Sequence, residues 1–175
     1  TALSAVAFFA DRIEAGLTRD AAQLIGGDAV VVADQPIPAT FTDLAKQKGL
    51  RVAYTSVLAS MARAPDDKGG DSKLVALKVV DLTYPLRGKL KLGSVQPDGT
   101  VLANREAPLG GPDAGQAWVD AGVLLALNLK EGDSIWLGDK LFVIAAVIAT
   151  EPDRGAGFMT FAPRVMIRAS DLAAT

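Results

Sequence analysis

The residues WVDAGVLLALNLKEGDSIWLGDKLFVIAAVIATEPD, Trp118 to Asp153, carry several local signals that agree with one another. Trp118 to Asp120 is a short β-prone segment, and the apolar residues between Val123 and Leu129 suit one face of a short helix. Gly138-Asp139 is a dipeptide of the kind that makes a two-residue hairpin turn, and Leu141 to Ala149 leaves this turn as a strand. The predicted order is strand, helix, turn and hairpin. Because its return strand is apolar on both faces, we expect that strand to be buried.

The composition limits which functions are open to the chain. With 175 residues it can form one domain, or two small lobes with a shared core. Half of the residues are hydrophobic and the net charge is −2, which predicts neither disorder nor nucleic-acid binding. The chain has no cysteine and no histidine, so thiol catalysis, disulfides, imidazole-bound zinc and a Ser-His-Asp triad are excluded. An enzyme here would have to use carboxylates, Lys, Tyr or Ser.

The first half of the sequence is predicted to form two helices and three strands. Ala2 to Ile25 has an apolar stripe at steps of three and four, which predicts either the end of a membrane-spanning helix or an amphipathic helix docked on a core. Strands are expected at Ala29 to Val32, Leu50 to Arg63, and Lys73 to Leu82. A helix from the cap Thr40 to the stop Gly49 is expected between the first two of these strands.

The character of the sequence changes at Tyr84-Pro85-Leu86-Arg87-Gly88, because a proline and a glycine there disfavour a central strand. We therefore predict a mixed α/β lobe of residues 1–83 and 162–175, and an inserted, mostly β lobe of residues 84–161. A second hairpin turns at Gln96 to Gly99 within the inserted lobe. Pro163 to Arg168 supplies a last strand, and a helix is expected to begin at Ser170.

Two loops have features of ligand-binding motifs. Gly110 to Gly115 has the glycine spacing of a phosphate-binding loop, but Gln116-Ala117 stands where that motif needs Lys and Ser or Thr. Asp66, Asp67 and Asp71 could gather a hard cation, but their spacing does not match a calcium loop. An ordinary loop is the preferred interpretation of the glycine-rich stretch, and solvated side chains that of the three aspartates; no cofactor or metal ligand is assigned.

Two further groups could take part in chemistry or contact. Glu151 and Asp153 could form an acid and base pair, although carboxylates in such a loop beside an arginine more often make turns or salt bridges. A Ser-Lys dyad remains open, without an S-x-x-K motif to support it. Phe158, Met159 and Phe161 form an apolar cluster that is either core or an exposed contact for a membrane, a lipid-like cargo or a partner protein. No catalytic residue is assigned.

Six phrases of the sequence stand out by their order and spacing: VAFFADRIEAGL at Val6 to Leu17, GGDAVVVADQPIP at Gly26 to Pro38, YPLRG at Tyr84 to Gly88, AWVDAGVLLALNLKEGDSIWLG at Ala117 to Gly138, FVIAAVIATEPDR at Phe142 to Arg154, and APRVMI at Ala162 to Ile167. Together they resemble the extracytoplasmic core domain of MacB/FtsX-type ABC transporter permeases, with the YbbP-like permeases as the nearest branch.

The resemblance implies an α+β domain with the Porter and Sabre lobes of that family, lying between two membrane spans on the periplasmic side of a bacterial inner membrane. The apolar start of the first helix would then be the end of a membrane span. The domain would be non-catalytic. It would transmit motion driven by a separate cytoplasmic ATPase subunit and contact the rest of the permease and a cargo or adaptor, with the isolated domain a monomer. The alternative function is a small-molecule or lipid-binding periplasmic module.

Overall fold

The helices and strands of the chain surround two apolar cores. The computed structural model describes Phe9, Arg12, Ile13, Gly16, Ala21, and residues 24–155 and 161–175. The elements in chain order are α1 (Ala39–Gln47), β1 (Thr55–Arg63), β2 (Ser72–Val80), β3 (Lys91–Val95), β4 (Val101–Glu106), β5 (Gln116–Val119), α2 (Ala121–Leu127), β6 (Ser134–Leu137), β7 (Lys140–Thr150) and β8 (Arg164–Arg168), with short 3₁₀ helices at Asp66–Lys68 and Ala169–Ala174.

The strands form one mixed sheet in which six of them close into a ring. The order around the ring is β7, β5, β8, β2, β1 and β6, because β6 pairs with β1 on one side and with β7 on the other. The β2–β8 and β5–β7 pairs are parallel, and the other four pairs are antiparallel. Strands β3 and β4 extend the sheet outward from β7. Closure pairs both edges of the ring and so removes exposed sheet edges there.

The main core lies inside this ring. Every ring strand contributes alternate residues to one buried cluster, as expected where successive side chains of a strand point to opposite faces. Helix α2 adds three buried side chains to the same cluster. The members from the ring are Ala62, Val75, Leu77, Val79, Ala117, Val119, Ile135, Leu137, Phe142, Ile144, Val147, Val165 and Ile167.

A second core lies on the outer face of the ring. Trp118 and Met166 are opposite each other in the β5–β8 pair, and both point away from the main core. Tyr84 and the β3 residue Leu92 cover this face from outside. The outer side chains Lys78 and Val80 of β2 and Arg164 and Met166 of β8 are consequently buried even though they do not belong to the interior of the ring.

The predicted fold class is confirmed: the chain is α+β, with one mixed sheet of eight strands and few helices. Within the described part of the chain, no helix has the length and apolar character needed to cross a membrane. Strands from both predicted lobes pair with each other, β5 with β8 and β6 with β1. The division into lobes of residues 1–83 with 162–175 and residues 84–161 stays a prediction.

The central supersecondary unit is confirmed. Strand β5, helix α2 and the β6–β7 hairpin follow in the predicted order, and Leu137 pairs with Lys140 across the two-residue turn. Gly138 has a φ of 56°, which fits a glycine in such a turn. Asn128 ends α2 in the left-handed conformation with a φ of 50°.

Two sequence predictions are wrong in detail. Ala29 to Val32 is not a strand, because it pairs with no other described segment and its valines are exposed. The return strand β7 is not buried along its whole length, since Leu141 and Val143 project from the outer face where nothing described covers them. Trp136 is only half-buried, because it alternates with the core residues Ile135 and Leu137 and therefore faces outward.

The predicted N-terminal helix of residues 2–25 falls largely outside the described residues. Those that are described between residues 9 and 24 are helical. The stripe residues Phe9, Ile13 and Leu24 are exposed, which does not match docking of these positions on the described core.

Candidate functional site

A buried group of charged side chains lies on the outer face of the ring, beside the second core. Lys78 is at its centre, on β2, where the face it shares with Val80 is covered. Only 1% of Lys78 is exposed. A lysine is almost never buried to this degree without a partner, since loss of hydration strongly disfavours the ammonium ion. The geometry around Lys78 supplies partners for each of its three N–H donors.

The three acceptors are two carboxylates and a phenol. Lys78 Nζ donates to Glu151 Oε1 at 2.7 Å, to Asp153 Oδ1 at 2.7 Å and to the Tyr84 hydroxyl at 2.9 Å. Glu151 and Asp153 stand immediately after the end of β7, whose hydrogen bonds to β5 bring this end close to the outer face of β2 and β8. The ammonium group is thus fully hydrogen-bonded.

Glu151 joins Lys78 to a second buried cation. Its other carboxylate oxygen, Oε2, accepts from Arg164 Nε on β8 at 3.0 Å. The side chains of Glu151 and Arg164 are 0% and 3% exposed. One carboxylate therefore bridges two neighbouring parallel strands of the ring through charge-assisted hydrogen bonds.

Tyr84 donates its hydroxyl hydrogen to Asp153 Oδ1, in addition to accepting from Lys78. Burial raises the pKa of the Tyr84 hydroxyl, and the negative charge of Asp153 raises that pKa further. The phenol therefore stays protonated and neutral, as its role of donor to Asp153 requires. The ring of Tyr84 also lies against the ammonium group, with Lys78 Nζ 4.4 Å from the ring centroid.

A second ion pair extends the cluster to the start of α2. Arg154 donates to both carboxylate oxygens of Asp120, at 3.2 and 2.5 Å. These hydrogen bonds and the Asp120 charge raise the pKa of the half-buried Arg154 guanidinium above its ordinary value, although burial opposes the shift. Asp120 also accepts from the backbone N–H of Arg164, and Arg164 Nη2 donates to the carbonyl of Arg154.

The cluster holds elements together, and both oxygens of Glu151 and one oxygen of Asp153 already accept hydrogen bonds. Both oxygens of Glu151 accept hydrogen bonds from cations, so neither is available as an acceptor for a substrate proton. Counting Lys78, Arg164, Glu151 and Asp153 gives two positive and two negative charges, which compensate each other. Removal of one member would leave a buried charge without its partner, and such changes are strongly destabilising.

The sequence hypothesis of a Glu151 and Asp153 pair is thus modified by the structure. The two carboxylates do come together, but through the Lys78 ammonium group that lies between them. The interpretation as salt bridges holds, with Lys78 and Arg164 as partners, whereas the neighbouring Arg154 pairs with Asp120. Neither carboxylate side chain is exposed, unlike those of an ordinary solvated loop.

Sequence reasoning missed Lys78, Tyr84 and Arg164. A usable signal was the single lysine in the run Leu74 to Val80, since a charged residue flanked by apolar neighbours on both sides has to find a buried partner. Nothing local indicates which carboxylate that is, because Glu151 is 73 residues away in the chain.

The glycines of the predicted phosphate-like loop have a packing role. A Cβ on Gly111 would lie 2.4 Å from Val80 Cγ2, and one on Gly110 would lie 3.1 Å from the backbone of Leu82. Both glycines are buried, with φ of 87° and 71° for Gly110 and Gly111. The loop needs glycine there so that it can approach the end of β2.

The other sequence candidates lie apart from the cluster. Asp66 pairs with Arg63 at 2.6 Å, and no group of three or more possible metal-ligating side chains occurs among the described residues. Phe161 is 88% exposed, which favours the contact interpretation at that position. Phe158 and Met159 lie outside the described residues.

An open cavity of about 300 Å³ lies next to the cluster. Its lining residues are Leu24, Gly88, Lys89, Lys91, Thr150 and Pro152. Lys89 forms an exposed ion pair with Glu106 at 2.8 Å. The cavity is at the lower limit of the size that small-molecule sites have.

An apolar strip crosses four adjacent ring strands on the outer face. Met61 and Leu74 are opposite each other in the β1–β2 pair, and Trp136 is opposite Leu141 in the β6–β7 pair. Arg63 joins the two pairs, since it is opposite Trp136 and its guanidinium carbon lies 5.8 Å from the indole centroid. Met61, Leu74 and Leu141 are 52%, 46% and 44% exposed, so the strip is available for contact.

The comparison with known proteins finds a permease. The chain is 30% identical over 162 residues to a segment of the uncharacterized ABC transporter permease YbbP of Escherichia coli (strain K12). The match covers 93% of this chain and 18% of that relative, so the chain spans less than a fifth of its length. No profile of a known protein family matches the chain. The predicted relation to an ABC transporter permease is thereby confirmed at the level of sequence similarity.

Proposed function

We propose that this chain is a non-catalytic extracytoplasmic domain of an ABC transporter permease, and that it acts by transmitting motion and by contact with cargo or partner proteins. The observation that carries the proposal is the end-to-end similarity to a segment of a permease, 30% identity over 93% of the chain. In this proposal the domain lies on the periplasmic side of the inner membrane. It responds to ATP hydrolysis by a separate cytoplasmic subunit.

Two features of the described residues support a role in transmission and contact. The closed ring with its interior core is a rigid body, since all six strands are paired on both sides. Apolar side chains are nevertheless left exposed on the strip of Met61, Leu74 and Leu141, and α1 has no buried residue. Rigid folds with exposed apolar patches commonly use those patches for protein or membrane contact.

The side of the membrane on which the domain lies can be tested with cysteine labelling, because these 175 residues contain no cysteine. Any cysteine elsewhere in the reading frame is first replaced by serine. Asp67→Cys introduces an exposed thiol and Ala117→Cys a buried one, since Ala117 is 0% exposed. In spheroplasts that express the full-length reading frame, a membrane-impermeant maleimide should label the cysteine at position 67. The cysteine at position 117 should react only after denaturation. Labelling at position 67 only after lysis of the membrane would contradict the proposal.

Association with an ATPase is the second part of the test. The full-length protein, purified in mild detergent, should bring with it an ABC ATPase subunit. If no ATPase co-purifies from cells in which position 67 is labelled from outside, the proposed periplasmic location stands and the transporter role is rejected.

A small-molecule or lipid-binding module is the second candidate, favoured by the cavity that Leu24, Lys91 and Pro152 help to form. Apolar walls beside lysine ammonium groups suit an anionic amphiphile. A fluorescent anionic phospholipid should then bind the chain, and Lys91→Glu should weaken that binding. An unchanged affinity in this variant would reject the second candidate.

A further inference from the structure

The proposed transmission of motion requires a path from the segment at residues 24–28 to the closed ring. We propose that the turn Glu151-Pro152-Asp153-Arg154 is the joint in this path, and that it fastens residues 24–28 to β2 and β8. The inference rests on the proposed function for its purpose, because it names the residues through which a displacement would pass. The joint itself follows from contacts among the described residues.

At the segment of residues 24–28, Asp153 lies directly beside Gly26. A Cβ on Gly26 would lie 3.1 Å from Asp153 Cβ and 3.3 Å from its Oδ2, so even a methyl group at Gly26 would press on this carboxylate. Gly26 has a φ of 70°, which suits a glycine at the end of a helix. A shift of the segment toward the ring therefore meets Asp153.

The segment is also tied to the loop that carries Tyr84. The Gly26 carbonyl accepts from the backbone N–H of Arg87 at 3.0 Å. The Arg87 guanidinium donates to both oxygens of Asp28 at 2.9 Å each. Since Tyr84 is three residues before Arg87 and donates to Asp153, the segment reaches the joint by two routes.

On the side of the ring, the joint ends in buried ion pairs. Asp153 and Glu151 both accept from Lys78 of β2, and Glu151 also accepts from Arg164 of β8. β2 and β8 are hydrogen-bonded neighbours over five residue pairs, from Ala76 with Arg164 to Val80 with Arg168. A displacement passed to Lys78 or Arg164 is therefore applied to paired ring strands.

Burial makes these contacts stiff. Lys78, Glu151 and Arg164 are screened from water, and each bond has a charged partner, so the bonds are strong and directional. An exposed pair such as Lys89 with Glu106, whose side chains are 67% and 56% exposed, exchanges easily with water. It provides a matched control on the same domain.

Two pairs of variants of the 175-residue chain test the joint, with amide exchange and chemical shifts measured by NMR. Asp153→Asn should speed exchange of the Arg87 amide, which bonds to Gly26, by about tenfold or more. The Ala76 amide, which bonds to Pro163 in the ring, should accelerate only as far as the loss of global stability, measured by urea unfolding of the same variant, accounts for. Glu106→Gln should change neither amide. An unchanged rate for Arg87, or an equal acceleration of both amides, would overturn the proposal.

The second pair tests the path in the opposite direction and does not remove a charge. Gly26→Ala presses on Asp153 and should shift the Lys78 amide and Tyr84 ring signals. Gly49→Ala is its control, since Gly49 has a similar φ of 71° and nothing within 4 Å of an added Cβ. If Gly26→Ala leaves the Lys78 and Tyr84 signals as in the wild type, or Gly49→Ala shifts them equally, the joint is absent. Neither experiment needs a membrane or ATP, so failure of the joint is distinguishable from failure of the permease proposal.

Discussion

The ammonium group of Lys78 lies 2.7 Å from Oε1 of Glu151, and both side chains are buried on the outer face of the ring, where Lys78 also donates to Tyr84 of the second core. The two residues are 73 positions apart in the chain. Their contact connects β2 to the turn after β7, and Glu151 extends it to Arg164 on β8. The stability of the chain should therefore depend on Glu151 more than on any exposed carboxylate.

Glu151→Gln should lower the free energy of unfolding by about 3–5 kcal/mol, because the buried Arg164 loses its carboxylate partner and the buried Lys78 keeps only Asp153. Glu106→Gln breaks the exposed pair with Lys89 and should cost no more than about 1 kcal/mol. Urea unfolding at neutral pH measures both values. Equal losses in the two variants would show that burial of the Glu151 contacts has no energetic consequence.

Phe142→Ala should destabilise the chain by about 3–5 kcal/mol, since Phe142 is 0% exposed inside the ring and its removal leaves a cavity. Trp136→Ala should cost less than half as much, because the half-buried indole packs on the outer face against Arg63. Urea unfolding of both variants checks the difference. If Trp136→Ala loses as much free energy of unfolding as Phe142→Ala, or more, the outward position of Trp136 is wrong.

Gly111→Ala should destabilise the chain more than Gly115→Ala. Both glycines have positive φ, 71° and 75°, so both substitutions carry the same backbone cost of about 1–2 kcal/mol. Only at Gly111 does the new methyl group meet a neighbour, Val80 Cγ2 at 2.4 Å, whereas nothing lies within 4 Å at Gly115.

A double variant isolates this steric contact. Val80→Ala removes the methyl groups that Gly111→Ala would strike, so the two changes together should cost less than the sum of their separate effects. Thermal or urea unfolding of the two single variants and the double variant gives the coupling. Strict additivity would show that Gly111 is not required for packing against β2.

Asp171 should make stability depend on pH in the acidic range. Burial raises the pKa of its carboxyl, but hydrogen bonds from Lys140 Nζ at 2.5 Å and from the Gly115 N–H at 2.9 Å outweigh burial and lower the pKa below its ordinary value. A lowered pKa in the folded state means that folding favours the ionised form. The resulting stability is complete above the unfolded pKa of about 3.9 and is lost as the pH falls through the folded pKa.

Comparison with Asp171→Asn checks this dependence. The wild type should be more stable than the variant at pH 7, and the difference should shrink as the pH falls below about 4. Urea unfolding midpoints at several pH values measure it. A difference that stays constant down to strongly acidic pH would contradict the role of the Asp171 charge.

Local sequence signals predicted the elements whose geometry is itself local. The two-residue turn at Gly138-Asp139 sets the register of β6 and β7, and the apolar face of Val123, Leu124 and Leu127 marks α2. The strand predicted at Ala29 to Val32 fails for the opposite reason. Its β-branched residues favour an extended backbone, but a strand needs a partner, and none of the residues that the structure describes pairs with this segment.

Closure of the ring and assembly of the ion cluster were beyond sequence reasoning because both depend on distant pairings. Ala62 pairs with Leu137, and Val119 with Val165, and no short-range pattern encodes either contact. Glu151 and Asp153 were recognised as a charged pair, but nothing local assigns them to Lys78, which stands 73 residues before Glu151 in an apolar run. The second core decides that this lysine is buried.

The measurement that tests the central claim most directly is the response of the domain to ATP in the assembled transporter. Met61→Cys, on the apolar strip, is labelled with an environment-sensitive fluorophore in the full-length protein, with its ATPase, in lipid nanodiscs. The permease account predicts that ATP shifts the emission, that vanadate or a non-hydrolysable nucleotide holds it in one state, and that the same label at Asp67→Cys reports a smaller change. Emission that is identical with and without ATP at both positions, in a complex that hydrolyses ATP, would contradict the account.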